Sequence, residues 1–543
     1  MSSVYHIFYY FFMFYHHLRY FVCYTVDISL CLQYIKSRRT LSLNLGGFIY
    51  MEWNRALRYK NLNEWSEEEK KHLLLQIKNS PWRLHYHIQP ESGLLNDPNG
   101  FSFFNDEWHL FYQNYPMGPV HGLKCWYHLS SKDLIHWKGK GLAILPDTEY
   151  DSHGCYSGSA IPVEDRLFIM YTGNVRDKNW NRFSYQLGAW MDKKGRISKL
   201  KTPLIAKQPE NYTDHFRDPQ IIRYHNSYYA LIGAQTKQKE GSILVYKSKD
   251  LKNWEFNGPL ELPLKNLGYM IECPNIVWVD QKPVLIFCPQ GLDQNILHYQ
   301  NIYPNTYLIG DTFDPEKNRF ESKYLLHNLD EGFDIYATQA FNAPDGRTLA
   351  VSWIGLPEID YPTDQYGWAH CLSLIKELKI QDGHLYQFPV KETESLRGRK
   401  IELDGVLTEQ TQLILNQNET AYELEIILKG NGEGKLQLAS DGHQALNLIF
   451  NFADGTLVLD RSHAGIPFAQ QYGTSRTVKI PKNTPLNLHI FMDASVVEIF
   501  LNHGHDVLTS RFFPSKKQTK IFLETNHHLA YNGNYWSLHS INK

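Results

Sequence analysis

From about residue 96 onward, short apolar runs come in pairs, each pair is joined by a tight polar turn, and the pairs recur along the chain. NGFSFFNDEWHLFYQ (99–113), SAIPVEDRLFIMYTG (159–173), PQIIRYHNSYYALIGA (219–234), PNIVWVDQKPVLIFC (274–288) and TQAFNAPDGRTLAVSW (338–353) each read as strand, turn, strand. Every turn carries Asn, Asp, Gly or Pro, the residues that hairpin turns require. Three copies open alike, with Asp97-Pro98-Asn99, Asp218-Pro219-Gln220 and Cys273-Pro274-Asn275, which fixes the register between repeats at Asp97, Asp218 and Cys273. A second echo lies outside these hairpins: Ser131-Lys132-Asp133-Leu134 followed by Trp137 returns as Ser248-Lys249-Asp250-Leu251 followed by Trp254. The spacing, roughly 60 residues per unit, is on the long side for blades of a β-propeller. Five blades are therefore expected, with the starts of all first strands facing one end of a central channel, so that Asp97, Asp218 and Glu272 converge. The competing architecture is a β-sandwich or a row of small β domains, but sandwich strands come at closer and less grouped spacing.

After Gln387-Phe388-Pro389 the pattern changes to alternating strands and turns, as in KLQLASDG, LNLIFNFADGTLVLD and LNLHIFMDASVVEIFLNHG. That suits a β-sandwich of roughly 140 residues. The expected class is all-β, a five-bladed β-propeller over 85–390 followed by a β-sandwich over 391–543. A helical or irregular lead-in over 51–84 precedes them, beginning MEWNRALRYKNLNEWSEEEKK. Residues 1–50 read differently, crowded with Tyr and Phe and interrupted by His16, His17 and Arg19. They have neither the basic start and cleavage site of a signal peptide nor about 20 unbroken apolar residues for a membrane span. The functional chain is expected to begin at Met51.

Composition narrows the function. The 543 residues are 43% hydrophobic and 21% charged, with a net charge of −2, so no broad basic field points to nucleic acid. Thirty-five Tyr and 13 Trp suit a β-rich core or a sugar-binding surface. The seven cysteines are odd in number, scattered and without CxxC pairs, which fits a reducing, cytoplasmic setting and suggests neither disulfides nor zinc. His85 and His87 would share one strand face, but the 25 histidines do not gather at ligand spacing. No metal, cofactor, nucleic-acid partner or membrane is expected.

Three acids at one channel mouth are more than glycosidic cleavage needs, since that chemistry uses two carboxyl groups. Crowding also separates their proton affinities, because a carboxyl beside carboxylates is disfavoured as an anion. Alone, each motif has a plain structural reading: Asn96-Asp97-Pro98-Asn99-Gly100 as a loop, Arg217-Asp218 as an ion pair, and Glu272 as a partnered charge between Met270-Ile271 and Cys273-Pro274. At matching repeat positions they outweigh those readings together.

Leu95-Asn96-Asp97-Pro98-Asn99-Gly100, Tyr156-Ser157-Gly158-Ser159-Ala160, Phe216-Arg217-Asp218-Pro219 and Glu272-Cys273-Pro274 resemble, in order, the signature motifs of glycoside hydrolase family 32, which comprises invertases, fructanases and sucrose-6-phosphate hydrolases. The resemblance runs from about Trp82 to the C-terminus. It implies a five-bladed propeller and a β-sandwich, with the family's nucleophile on Asp97, its transition-state stabiliser on Asp218 and its acid/base on Glu272. It also implies substrate contacts at Leu94, Leu95, Asn96, Gln113, Trp126, Tyr156, Ser157 and Arg217, with Leu94 replacing a frequent tryptophan. Amide and guanidinium groups can pair with sugar hydroxyls, and an indole can cover a ring face. The Asp493…Glu498-Ile499-Phe500 stretch resembles the family's second domain and is expected to be structural.

The run His121-Gly122-Leu123-Lys124-Cys125-Trp126-Tyr127-His128 looks like the sucrose-6-phosphate hydrolase branch, which makes His121 and Lys124 candidate phosphate contacts. The expected activity is hydrolysis of the β-fructofuranoside bond of sucrose 6-phosphate and sucrose through a fructosyl-enzyme intermediate. A retaining mechanism of that kind places the carboxyls of Asp97 and Glu272 about 5–5.5 Å apart. A general invertase or fructanase, a non-catalytic sugar-binding propeller and a five-bladed pentoside hydrolase are the alternatives. The intact acid trio speaks against the second and the motif order against the third.

Overall fold

The computed structural model describes residues 52–541 and, in a separate unit spanning Met1–Glu52, the antiparallel pair Asn44–Leu45 and Phe48–Ile49. The reading of residues 1–50 as an atypical extension otherwise falls outside the described residues. In the second unit, Trp53–Lys543, the lead-in forms a short helix, Arg55–Arg58, and a longer one, Glu67–Lys78. The longer helix starts on a reciprocal cap: Ser66 Oγ accepts from Glu69 N at 3.1 Å, and Glu69 Oε2 accepts from Ser66 N at 2.7 Å. Glu67, Glu68 and Glu69 in its first turn and Lys78 in its last suit the helix dipole. No helix among the described residues is long and apolar enough to cross a membrane.

Five antiparallel blades follow, the four main strands of each built from consecutive segments of chain. Their innermost strands are Gly93–Phe104, Cys155–Val163, Tyr212–Tyr224, Met270–Val279 and Ile335–Asn342. All five hairpins read from the sequence are the first two strands of a blade. The Ser-Lys-Asp-Leu echo is the turn between third and fourth strands in blades 1 and 3. In both copies the leucine is left-handed, with φ 65° at Leu134 and 62° at Leu251, and its carbonyl accepts the indole N–H of Trp137 or Trp254. Blade 4 carries an extra small hairpin, Thr312–Asp314 with Arg319–Glu321.

At the same place in every blade the innermost strand carries an extra residue relative to its partner, between Leu95 and Pro98, Cys155 and Gly158, Arg217 and Gln220, Glu272 and Asn275, and Tyr336 and Gln339. Such bulges bend a strand and re-aim its side chains. Just beyond them a closed ring of hydrogen bonds joins the blades. Asn99 Oδ1 accepts from Gly158 N (2.9 Å), Ser159 Oγ from Ile221 N (2.8 Å), Gln220 Oε1 from Ile276 N (2.6 Å), Asn275 Oδ1 from Ala340 N (3.0 Å) and Gln339 Oε1 from Phe101 N (2.7 Å). A two-residue strand between the second and third strands of blade 5, Trp368–Ala369, also pairs in parallel with Gly93–Leu94 of blade 1.

The β-sandwich hangs on two long strands, Arg397–Asn416 and Lys520–Leu538, which pair along their length. The last strand serves both layers: residues 520–525 pair with Glu433–Ser440, and 529–537 pair with Tyr422–Gly430. Leu424, Ile426, Leu436, Leu448, Leu457, Ile490 and Leu523 fill the space between the layers.

At the junction with the propeller, His87 bridges two buried acids, with Nδ1 3.0 Å from Asp493 Oδ2 and Nε2 3.1 Å from Glu498 Oε1; Lys376 meets the other oxygen of Glu498 at 3.1 Å. Residues 85–87 form a bend rather than the strand expected of them, so His85 and His87 do not share a strand face. Burial opposes a charge on His87, but its hydrogen bonds to Asp493 and Glu498 outweigh that and hold its pKa up at about 9. The unfolded imidazole titrates near about 6.5. This contribution to stability is therefore complete below about pH 6.5 and is lost as pH rises through about 9. Thermal midpoints are expected to fall between those two values, and His87→Asn should lie lower with a flatter slope. A wild-type midpoint that is level across the window and unmoved by the substitution would refute the ion cluster as a stabilising element.

Candidate active site

The ring residues set the site by simple offset. Two positions before them lie Asp97, Ser157, Asp218, Cys273 and Ala337, of which Asp97, Asp218 and Cys273 are the register read from the sequence, and three before lie Asn96, Tyr156, Arg217, Glu272 and Tyr336. All five of the latter, together with Asp97 and Asp218, line one cavity of about 470 Å³ at that end of the propeller. The backbone is strained to aim them: Asp218, Cys273 and Ala337 have φ of 64°, 48° and 49°. Left-handed backbone at non-glycine residues costs on the order of 1–3 kcal/mol and persists only where its surroundings enforce it.

Asp97 accepts hydrogen bonds from Asn96 Nδ2 (2.9 Å), Gln113 Nε2 (3.1 Å) and Ser157 Oγ (2.5 Å). Burial raises its pKa and the charge of Glu272 adds to this, while the bonds from Ser157 and Asn96 and the charge of Lys124 draw it down. Asp218 accepts from Cys273 N at 3.1 Å, and its own N–H donates to Thr172 Oγ1. Its carboxyl is pushed up by burial and by the charges of Glu272 and Asp97, with Arg217 opposing. Carboxylate oxygens of Asp97 and Asp218 and the Cys273 sulfur all lie within 4.8 Å of one another. As a cation site the trio is poor, because burial and both aspartates keep the thiol protonated, and the thiolate is the ligand form.

Glu272 is held by donors alone. Arg217 Nε and Nη2 reach Oε1 at 3.0 and 2.6 Å, and Gln290 Nε2 and Tyr336 OH each reach Oε2 at 2.7 Å. His215 backs Arg217, its Nδ1 3.0 Å from Arg217 Nη1; burial and the charges of Arg217 and Arg182 push its pKa down to about 4, so it accepts as a neutral ring. The pocket floor thus gathers three carboxyl groups, one guanidinium and several amide donors out of bulk water, where their mutual effects are large.

Leu94, Asn96, Gln113, Tyr156 and Arg217 line the cavity; Ser157 lies just beneath, hydrogen-bonded to Asp97. Leu95 and Trp126 do not reach it. Leu95 alternates with Asn96 and so points into the core, fully buried. Trp126 sits opposite Gln113 but one strand further from the axis, where blade 2 covers it; its indole packs on Phe111 and Tyr171 and donates to Tyr156 O at 3.0 Å. It braces the backbone at Tyr156 and presents no face to the cavity. Lys124 lies on no solvated loop. It is buried on the floor, its ammonium on Asn96 Oδ1, and burial lowers its pKa to about 7 despite the charge of Asp97. His121 stands at the exposed mouth.

The motifs do not reveal Gln290, Tyr336, or Arg58 and Tyr59 of the lead-in, which line the same cavity. Tyr336 was within reach, since it occupies in blade 5 the repeat position of Glu272. Arg58 and Tyr59 precede the repeats and carry no such signal.

The chain matches the N-terminal domain of the glycosyl hydrolases family 32 over residues 87–389 and the C-terminal domain of that family over 392–537. It is 51% identical over 464 residues to the sucrose-6-phosphate hydrolase of Pediococcus pentosaceus, covering 85% of this chain and 92% of that one. The structure of sucrose-6-phosphate hydrolase from Lactobacillus gasseri superposes with a TM-score of 0.87 at 46% identity, over 90% of this chain and all of that one (100%). A Bombyx mori family 32 β-fructofuranosidase, solved as a variant in complex with sucrose, gives 0.74 at 30% identity over 88% of this chain and 99% of that one. With both domains matched in order and the five-bladed propeller and sandwich in place, the chain belongs to glycoside hydrolase family 32.

Proposed function

We propose that this protein is a retaining β-fructofuranosidase that hydrolyses sucrose 6-phosphate, and sucrose as a secondary substrate, in the cytoplasm. The observation that carries the reading is the convergence of Asp97, Asp218 and Glu272 on the floor of one pocket. The printed names of the relatives, sucrose-6-phosphate hydrolases at 51% and 46% identity, support the phosphorylated substrate.

In this reading the fructosyl ring occupies the floor and the glucosyl part points to the mouth, through which a leaving group must depart. Asp97 attacks the anomeric carbon. Asn96, Gln113 and Ser157 donate to it, which favours the charged form that a nucleophile needs. Glu272 gives its proton to the glycosidic oxygen as the bond to fructose breaks, leaving fructose esterified to Asp97. Water, deprotonated by Glu272, then attacks the same carbon and releases Asp97. Asp218 and Arg217 hold sugar hydroxyls while positive charge builds on the ring. The steps use no cofactor.

The testing measurement is kcat/KM for sucrose 6-phosphate against sucrose, with Asp97→Asn as blank. A strong preference for the phosphorylated sugar is expected, and equal values would make the protein a general invertase. Asp97→Asn should lower kcat by at least about 10³-fold, in line with loss of a nucleophile. Proton NMR of early product should show β-fructofuranose before mutarotation; the α anomer first would exclude the double displacement. Because Lys124 braces Asn96 beside Asp97, Lys124→Ala should weaken both substrates by a similar factor, and a loss confined to the phosphorylated one would return it to the phosphate.

A further inference from the structure

We infer that Arg58, from the lead-in ahead of the family 32 domains, recognises the phosphate of the leaving sugar. This rests on the proposed phosphorylated substrate and assigns its charged end to a residue outside the matched domains, which begin at residue 87.

A phosphomonoester on the glucosyl part reaches the mouth of the pocket as a dianion, and it needs a cation there that is not already engaged. The cavity offers few. Arg217 is committed to Glu272, and Lys124 is buried against Asn96 on the floor. His121 is at the mouth, but its neighbours Lys124, His370 and Arg58 disfavour a further positive charge on it. Arg58 also lines the cavity, is only partly buried, and is fixed through Nε, which donates to Trp53 O at 3.1 Å. Among the described residues its two terminal amino groups have no hydrogen-bond or ion-pair partner. That leaves a planar fork free for a phosphate. The blade 5 part of the mouth carries Glu358 and Asp360, both exposed, which disfavours an anion there.

The position of Arg58 is built, and the His121-Gly122-Leu123-Lys124 run builds it. Leu123 N donates to Arg58 O at 2.7 Å, and Tyr115 OH donates to Leu57 O at 3.0 Å. A Cβ on Gly122 would stand 2.6 Å from Arg58 O and 2.9 Å from the Tyr115 ring, so only glycine lets the turn of Arg58 settle there. The run is thus a seat for Arg58 as well as a source of side chains.

The test compares the full chain with Arg58→Gln and Arg58→Lys on sucrose 6-phosphate and sucrose. The preference for the phosphorylated sugar should fall about 10-fold or more in Arg58→Gln, through KM, as expected for loss of a charged hydrogen bond. Arg58→Lys should recover part of it, since a point charge remains without the fork. An unchanged preference in Arg58→Gln, or equal losses on both sugars, overturns the role of Arg58 and leaves the proposed substrate standing. A wild type that shows no preference overturns both.

Discussion

Five hydrogen bonds from side chains to backbone, one at each seam between blades, hold the propeller as a closed body. The four main strands of each blade come from contiguous chain, so little backbone laces the last blade to the first: two residues of the blade 5 stretch pair with blade 1. Closure falls to Asn99, Ser159, Gln220, Asn275 and Gln339, with the short parallel strand Trp368–Ala369 completing the last seam. These contacts are deeply buried, and leaving any of the five N–H groups without its acceptor would cost the full desolvation penalty. The same ring dictates the chemistry. Because the acids lie two or three residues before its members, whatever fixes the seams also fixes the carboxyl groups.

Much of this was legible in the sequence for one reason: the bulge that re-aims each inner strand forces similar residues into similar places. Asp-Pro-Asn, Asp-Pro-Gln and Cys-Pro-Asn mark it in three blades, so the offset between Asp97, Asp218 and Glu272 could be read from spelling alone. Where the reading failed, it failed on distance from the axis and on alternation. Trp126 belongs to a third strand, too far out to meet a ligand on the floor, and Leu95 faces away by the strand's period of two. Lys124 reads as a candidate phosphate contact, and nothing in its neighbours announces that it folds inward onto Asn96. The lead-in was legible as helix and cap, but its contact with the pocket depends on the seat at Gly122, and no local pattern encodes a contact between segments so far apart.

The electrostatics of the pocket grade from floor to mouth. At the floor every cation has a partner: Arg217 on Glu272, and Lys124 on Asn96 beside Asp97. Neutral His215 behind Arg217 adds an acceptor without adding charge. Such pairing keeps several ionisable groups in a small, largely buried volume without large net charge, which a site lined with unpaired carboxylates could not sustain. Toward the mouth the groups are looser and more exposed, and there the substrate itself has to supply the partner.

The clamp on His87 has a consequence for how the protein is made. The segment that leads into blade 1 is tied to Asp493, 406 residues further along, and Ile541 near the C-terminus donates to His85 O. At roughly 5–20 residues per second, a ribosome needs about 20–80 s to reach the residue that anchors the propeller's entrance. Throughout that time the emerging propeller holds an imidazole whose acidic partners do not yet exist. The sandwich follows the propeller in the chain, so the ties at His85 and His87 that join the two can close only once nearly all of it has been made.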